Sequence, residues 1–274
     1  MRQGVQLDLS GLDRLASAMV DSAGQSQYLL LKALSRGDGF DVAIHSVNVS
    51  VFAIKTGIGL GYSRDQLVHL CMAALVHDIG MGKVPNEILT RHGSLSSSEA
   101  AQIKQHPDHG REALSALGQD YQWLADVAYE EHERENGQGY PRGLRGNQIN
   151  EFAKIVGVAD IFEAFSHPRT FRKTFVANEA LQKLISMKGE FFDARVIKAL
   201  MSEISMFPLG TYVQLNTDEV GKVIATNSNN VLKPVVAVLY DHTGARIRQP
   251  KTINLEQYPM ISILRSLSEE ELPK

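Results

Sequence analysis

Apolar residues recur three and four positions apart through most of this chain, a spacing that predicts helices. Leu12, Leu15, Ala16 and Met19, followed by Leu30, Ala33 and Leu34, suit two helices broken near Gly24. Helical periodicity resumes at Asp41, after the turn-forming residues 36–39. Ser63 and Gln66 make a capping box ahead of Leu67, Leu70, Cys71, Ala74 and Leu75, whose spacing marks one buried helix face. A second capping box, Ser96 with Glu99, opens a helix expected to run to His106 and to stop at Pro107. Further stripes follow at Leu124, Val127 and Ala128, and at Ala153, Val156 and Ala159. Beyond Phe207-Pro208-Leu209-Gly210 the character changes to short β-branched runs separated by Asn, Asp and Gly, ending in an acidic, solvated tail. The expected fold class is mainly α, with a small C-terminal antiparallel β module.

The helical stripes share an unusual ending. The stripe through Ala74 and Leu75 leads to the pair His77-Asp78, the next helix leads to His106, the Leu124 stripe to Glu131-His132, and the Ala153 stripe to Asp160. A carboxylate on an apolar face is costly unless it is paired or bound to a metal. Any one histidine at a helix end is more often hydrogen-bonded than ligating. Several such endings together would be several separate buried-polar penalties, and a metal core removes all of them at once.

Composition narrows the chemistry further. The 274 residues contain nine histidines but a single cysteine, Cys71, so neither a disulfide scaffold nor a thiolate metal site can be built. The formal net charge of −3 argues against a general binder of nucleic-acid polymers. The N-terminus lacks a secretory leader, and no uncharged apolar run of about 18 residues occurs, so a cytoplasmic protein without membrane insertion is expected. His45, His77, Asp78, His106, Glu131, His132 and Asp160 are the candidate ligands. Imidazole with carboxylate suits iron, manganese or zinc, and seven such groups in one cavity favour more than one ion, with Asp78 able to bridge. His69, His92, His109, His167 and His242 are read as ordinary packing or surface residues.

The runs AALVHDIGMGKVPNEIL, SLSSSEAAQIKQHP, EEHERENGQGYPRGL and VGVADIFEAFSHPRTFRKT closely resemble the HD-GYP family of cyclic di-GMP phosphodiesterases, within the HD phosphohydrolase superfamily. The resemblance covers roughly residues 40–207 and implies an HD-type helical bundle. It implies that His45, His77, Asp78 and Asp160 hold one metal, and that His106, Glu131 and His132 hold a second with Asp78 shared. Asp41, one turn before His45, is a candidate ligand for a third ion. Gly139, Tyr140 and Pro141 match the signature loop. The implied cofactors are two or three divalent ions, iron or manganese first. The implied reaction opens cyclic di-GMP to pGpG, and onward to GMP, by a hydroxide bridging the metals.

Two departures from the family pattern matter. Glu131-His132-Glu133 stands where the family usually reads His-His-Glu, and the added carboxylate favours harder ions such as manganese, iron or calcium. Met81 stands where the family usually places a phosphate-contacting lysine, leaving Lys83 as the replacement candidate. Arg169 and Arg142 are further candidates for binding substrate, with Arg134 and Arg145 also near the motifs. Phe171 replaces a common tyrosine. The alternative to an enzyme is a degenerate HD-GYP protein that binds cyclic di-GMP or a GGDEF-domain partner as an adaptor; a homo-oligomer is a further expectation, and a third reading is an HD-superfamily phosphohydrolase acting on another cyclic dinucleotide or nucleotide. The expected organisation is an N-terminal helical segment at 1–38, the HD-GYP domain at 39–207 and the β extension at 208–274.

Overall fold

The structure is a computed structural model that describes residues 7–26, 28–34, 41–90, 93–166, 177–204, 207, 209–227, 233–267 and 271–273. They fall into two compact units, one within Met1–Phe175 and Lys183–Leu200, the other within Val176–Gln182 and Met201–Lys274. The first is helical and is built around α3 (Val42–Gly59). Helix α3 is apolar nearly all round, with Val49, Phe52, Ala53 and Ile54 fully enclosed, as befits a helix packed on several sides. It is long and apolar enough to cross a membrane, but 67% of it is buried inside this unit.

α3 packs against α4 (Arg64–Val76) and α9 (Glu151–Ser166). The ring of Phe52 meets Phe162 of α9 edge-on at 4.9 Å, a geometry favoured by the ring quadrupoles. α1 (Leu9–Gln25) packs on α4 and α3, and α2 (Tyr28–Leu34) packs on α3, with a break at Ser26 close to the expected one. Lys55 is buried in α3, where its ammonium donates to the Ala23 carbonyl at 2.9 Å and ties α3 to α1.

Local capping chemistry sets where these helices begin. Ser63 with Gln66 and Ser96 with Glu99 both form reciprocal capping boxes, at the starts of α4 and α6 (Ser97–Ile103). The expectation that the second of these helices runs to His106 is corrected: α6 ends at Ile103, and α7 (His106–Ser115) begins with Pro107 in its first turn. Proline lacks only an N–H that a first turn leaves unsatisfied, so here it opens a helix instead of closing one. Between α4 and α6 lie a 3₁₀ turn at Ile79–Lys83 and the short α5 (Asn86–Leu89). α8 (Gln122–Glu130) packs on α7, α4 and α9. α10 (Ala177–Ile185) and α11 (Ala194–Glu203) follow the described part of α9.

The second unit carries a five-stranded antiparallel sheet in the order β4-β3-β2-β1-β5. Its strands are β1 (Tyr212–Leu215), β2 (Val220–Ala225), β3 (Val235–Tyr240), β4 (Arg246–Asn254) and β5 (Ile263–Leu267). Val213, Leu215, Val223, Val236 and Val238 supply its buried face by alternation. Pro250 sits in β4, an edge strand, at the register shift that leaves residues 247–250 without partners on β3, so its missing N–H costs no ladder bond. β5, near the acidic end of the chain, was not anticipated; it pairs with β1 from Tyr212↔Leu267 to Leu215↔Ile263.

Candidate metal centre

Five elements bring the ligand-type groups together. His45 lies in the first turns of α3, and His77 and Asp78 lie at the α4 C-terminus. His106 is the first residue of α7, Glu131 caps the C-terminus of α8, and Asp160 comes from the middle of α9. Asp160 was expected at a helix end, but α9 continues to Ser166 because the apolar pattern carries on through Phe162, Ala164 and Phe165. All of these groups except His132, which is half-buried, are buried.

Asp78 divides the cluster. Its Oδ2 lies 3.7 Å from His45 Nε2 and 3.6 Å from His77 Nε2, while its Oδ1 lies 3.2 Å from His106 Nε2. On the first side, Asp160 Oδ1 comes within 3.2 Å of His45 Nε2. On the second, Glu131 Oε1 is 2.8 Å from His132 Nε2 and 3.8 Å from His106 Nε2. Two groups with ligand atoms close enough to share an ion result, His45-His77-Asp78 and Asp78-His106-Glu131-His132.

The imidazole orientations are set from behind. His77 Nδ1 donates to the Ala74 carbonyl and His106 Nδ1 to the Ile103 carbonyl, each at 2.8 Å. His45 Nδ1 instead faces the Glu163 carboxylate at 2.6 Å. With the protons placed on Nδ1, each Nε2 turns a lone pair into the cluster, which is the tautomer a metal requires.

The donor set fits divalent cations. His77 Nε2 and Glu131 Oε2 are buried and make no hydrogen bond, which is costly for atoms of that polarity. His106 Nε2 and His132 Nε2 face each other at 3.0 Å, so the lone pair of His106 needs a proton or a cation between them. Burial opposes a charge on His45, yet Asp160 and Glu163 outweigh it and push the imidazole up to about 10. Burial likewise opposes a charge on His106, and Glu131 with Asp78 overcomes it, pushing that ring up to about 9. Burial would raise Glu131, but His132 and His106 hold it well below the usual carboxylate range. The cluster therefore draws positive charge, and a metal competes for the same atoms that protons would occupy.

The signature loop closes the second side. Gly139 passes so near the chain at residues 133–134 that a Cβ would stand 2.4 Å from Glu133 Cα, so only glycine fits. Glu133 is buried and its carboxylate accepts from the backbone N–H groups of Arg142 at 2.7 Å and Leu144 at 2.9 Å, which fixes the loop. Tyr140 stacks on His132 with ring centroids 4.7 Å apart, and Lys104 Nζ lies over the tyrosine ring at 5.3 Å. Burial and the nearby carboxylates Glu131 and Asp160 push the Tyr140 phenol far above its usual value. Pro141 follows Tyr140 through a cis peptide bond.

Other candidates are engaged elsewhere. Asp41 caps α3, accepting from the N–H groups of Ala43 and Ile44 at 2.8 and 3.0 Å, so its carboxylate serves its own helix and lies outside both ligand groups. Lys83 is exposed and pairs with Glu112 at 2.6 Å, and Arg142 pairs with Glu130 at 3.2 Å. Arg134 donates to the carbonyls of Glu131 and Glu133 and lies over the Phe192 ring, bracing the ligand segment. Met81 is half-buried beside Lys83, Asn86 and Leu89. Arg169, Phe171, His92, His167 and Pro208 lie outside the described residues. Sequence reasoning missed Glu163, although a carboxylate three residues after Asp160 in an otherwise apolar stretch was a readable signal.

The HD domain profile matches residues 35–196, and that of a KOW domain associated with the HD domain matches residues 212–274. The chain is 31% identical over 207 residues to a cyclic di-GMP phosphodiesterase of Pseudomonas aeruginosa, covering 76% of this chain and 49% of that protein. It is 32% identical over 171 residues to a 3'3'-cGAMP-specific phosphodiesterase of Vibrio cholerae, covering 62% of this chain and 37% of that one. The fold is similar to that of an HDG"Y"P protein from Bdellovibrio bacteriovorus, with TM-score 0.58 and 23% identity, over 69% of this chain and 60% of the other. The chain spans about half the length, or less, of the curated relatives it matches.

Proposed function

The chain belongs to the HD domain family, in its HD-GYP branch, and from that premise we propose that it is a metal-dependent phosphodiesterase acting on a cyclic dinucleotide. The observation that carries this reading is the division of Asp78, with Oδ1 turned to His106 and Oδ2 turned to His45 and His77. A single buried carboxylate between two sets of imidazoles suits a pair of ions. His45, His77 and Asp160 would hold one, and His106, Glu131 and His132 the other. Divalent ions bound there supply Lewis acidity, which activates water and offsets charge on the phosphate oxygens. Iron or manganese suits this set better than softer ions, because Glu131 contributes a carboxylate where an imidazole is usual.

The side chains around the centre orient the substrate. Tyr140 and His132 form a stacked wall, and the Lys104 ammonium at its outer face offers a cation to a phosphate group. In the proposed reaction, a water oxygen attacks phosphorus in line, and the ribose oxygen opposite leaves and takes a proton. With cyclic di-GMP the product is the linear dinucleotide pGpG, and a second hydrolysis gives GMP. The names of the relatives support a cyclic dinucleotide, and three of those from Vibrio cholerae make 3'3'-cGAMP the second candidate substrate.

The test is incubation of the anaerobically purified chain with each dinucleotide in the presence of manganese or ferrous iron, followed by product chromatography. Linear dinucleotide from cyclic di-GMP is expected, at a rate abolished by chelation. Binding of cyclic di-GMP without turnover would overturn the enzymatic reading in favour of an adaptor.

A further inference from the structure

Glu163 is buried in α9, one turn beyond Asp160, and its Oε2 lies 2.6 Å from His45 Nδ1. Its second oxygen accepts from the Asn48 side-chain amide at 3.4 Å. The other two buried imidazoles differ in this respect. His77 and His106 each rest on a backbone carbonyl of their own chain segment, three residues earlier. His45 rests on a carboxylate from a different helix, 118 residues away. Helix α9 thus reaches the first side of the cluster twice, directly through Asp160 Oδ1 at 3.2 Å from His45 Nε2 and indirectly through Glu163 behind the same ring.

A carboxylate behind a ligating imidazole does three things. It holds the proton on Nδ1, so that Nε2 presents its lone pair; it fixes the ring plane; and it raises the donor strength of the ring. We infer that Glu163 is a positioning residue for the first metal of the pair, acting through His45, so that the two ions are held with unequal and separately adjustable affinity. This inference rests on the two-metal reading proposed above. It concerns only the ion on the His45 side, because Glu163 backs His45 alone of the three buried imidazoles.

The test is a titration of the chelator-stripped chain with manganese, followed by calorimetry and by the electron paramagnetic resonance signal of free manganese. Two ions are expected in the natural chain. Glu163→Ala is expected to weaken one of them about tenfold to a hundredfold and to leave the other unchanged, the range found when such supporting groups are removed. Glu163→Gln, which keeps the volume and one acceptor oxygen but loses the charge, should fall between the two, and it is the variant to use if alanine impairs folding. In a His45→Ala background the Glu163 substitution should have no further effect on manganese affinity, because the ring it acts through is gone. Unchanged affinity at both ions in the Gln and Ala variants overturns the inference, as does an equal loss in the presence and absence of His45. A natural chain that takes up no manganese overturns the metal reading itself, whereas two ions insensitive to Glu163 overturn only the role given to this residue.

Discussion

Asp78 faces both halves of the cluster, with Oδ1 3.2 Å from His106 Nε2 and Oδ2 3.7 Å from His45 Nε2. Removing it should therefore empty both sides, because each loses the carboxylate that the two share and keeps only one of its own, Asp160 or Glu131. Asp78→Ala is expected to lose most of its bound metal and all measurable turnover while remaining helical. Elemental analysis beside circular dichroism checks this, and retained stoichiometric metal would contradict the shared-ligand geometry. Met81 poses a separate question at the same scale. Lys83, expected to replace the missing cation, is exposed and tied to Glu112 at 2.6 Å. A lysine at position 81 would start from a half-buried site only three residues from Asp78. Met81→Lys is expected to leave metal content unchanged and to raise kcat/KM by about 10-fold to 150-fold, the worth of one added charge-assisted hydrogen bond of roughly 1.5–3 kcal/mol. An unchanged kcat/KM would indicate that another cation, such as Lys104, already serves the phosphate.

At the scale of elements, the ligands meet because helices approach one another closely at chosen glycines. A Cβ on Gly80 would stand 2.0 Å from the His106 carbonyl oxygen, and one on Gly157 would stand 2.3 Å from that of Glu131. The first contact brings the turn after Asp78 against α7, and the second brings α9 against the end of α8. Backbone oxygens cannot rotate away as a side chain can, so an added methyl must push the helices apart. Gly157→Ala is expected to cost about 1–3 kcal/mol of stability and to reduce metal occupancy by displacing Glu131 from Asp160. A thermal melt with and without manganese checks it, and an unshifted melt with full occupancy would contradict the close packing. The capping boxes at Ser63 and Ser96 were legible in the sequence because both partners lie within one turn. The start of α7 was misread, since Pro107 is compatible with either the end of one helix or the first turn of the next.

For the whole molecule, a pair of ions in this centre would tie α3, the end of α4, α7, the end of α8 and α9 into one body. A ligand that binds only the folded state stabilises it by about 2.7 kcal/mol at a hundredfold excess over its dissociation constant. Manganese is thus expected to raise the melting temperature of the chelated chain by roughly 5–10 °C, given about 2–4 °C per kcal/mol for a protein of this size. Scanning calorimetry checks this, and equal melting temperatures with and without manganese would contradict a cross-linking role for the metal. The sequence by itself determined the helical class, the β module, and a set of histidines and carboxylates placed on or beside apolar faces, because periodicity and capping act within a few residues. Its repeated pairing of apolar stripes with ligand-type groups was enough to expect a metal core. Only the tertiary structure decided how Asp78 apportions its two oxygens, that Tyr140 stacks on His132, and that Glu163 stands behind His45. Those relations join residues of separate helices and of the loop beside them, up to 118 positions apart, and depend on how closely these segments pack. No local pattern records that distance, since it is set by the glycines and side chains of both partners at once.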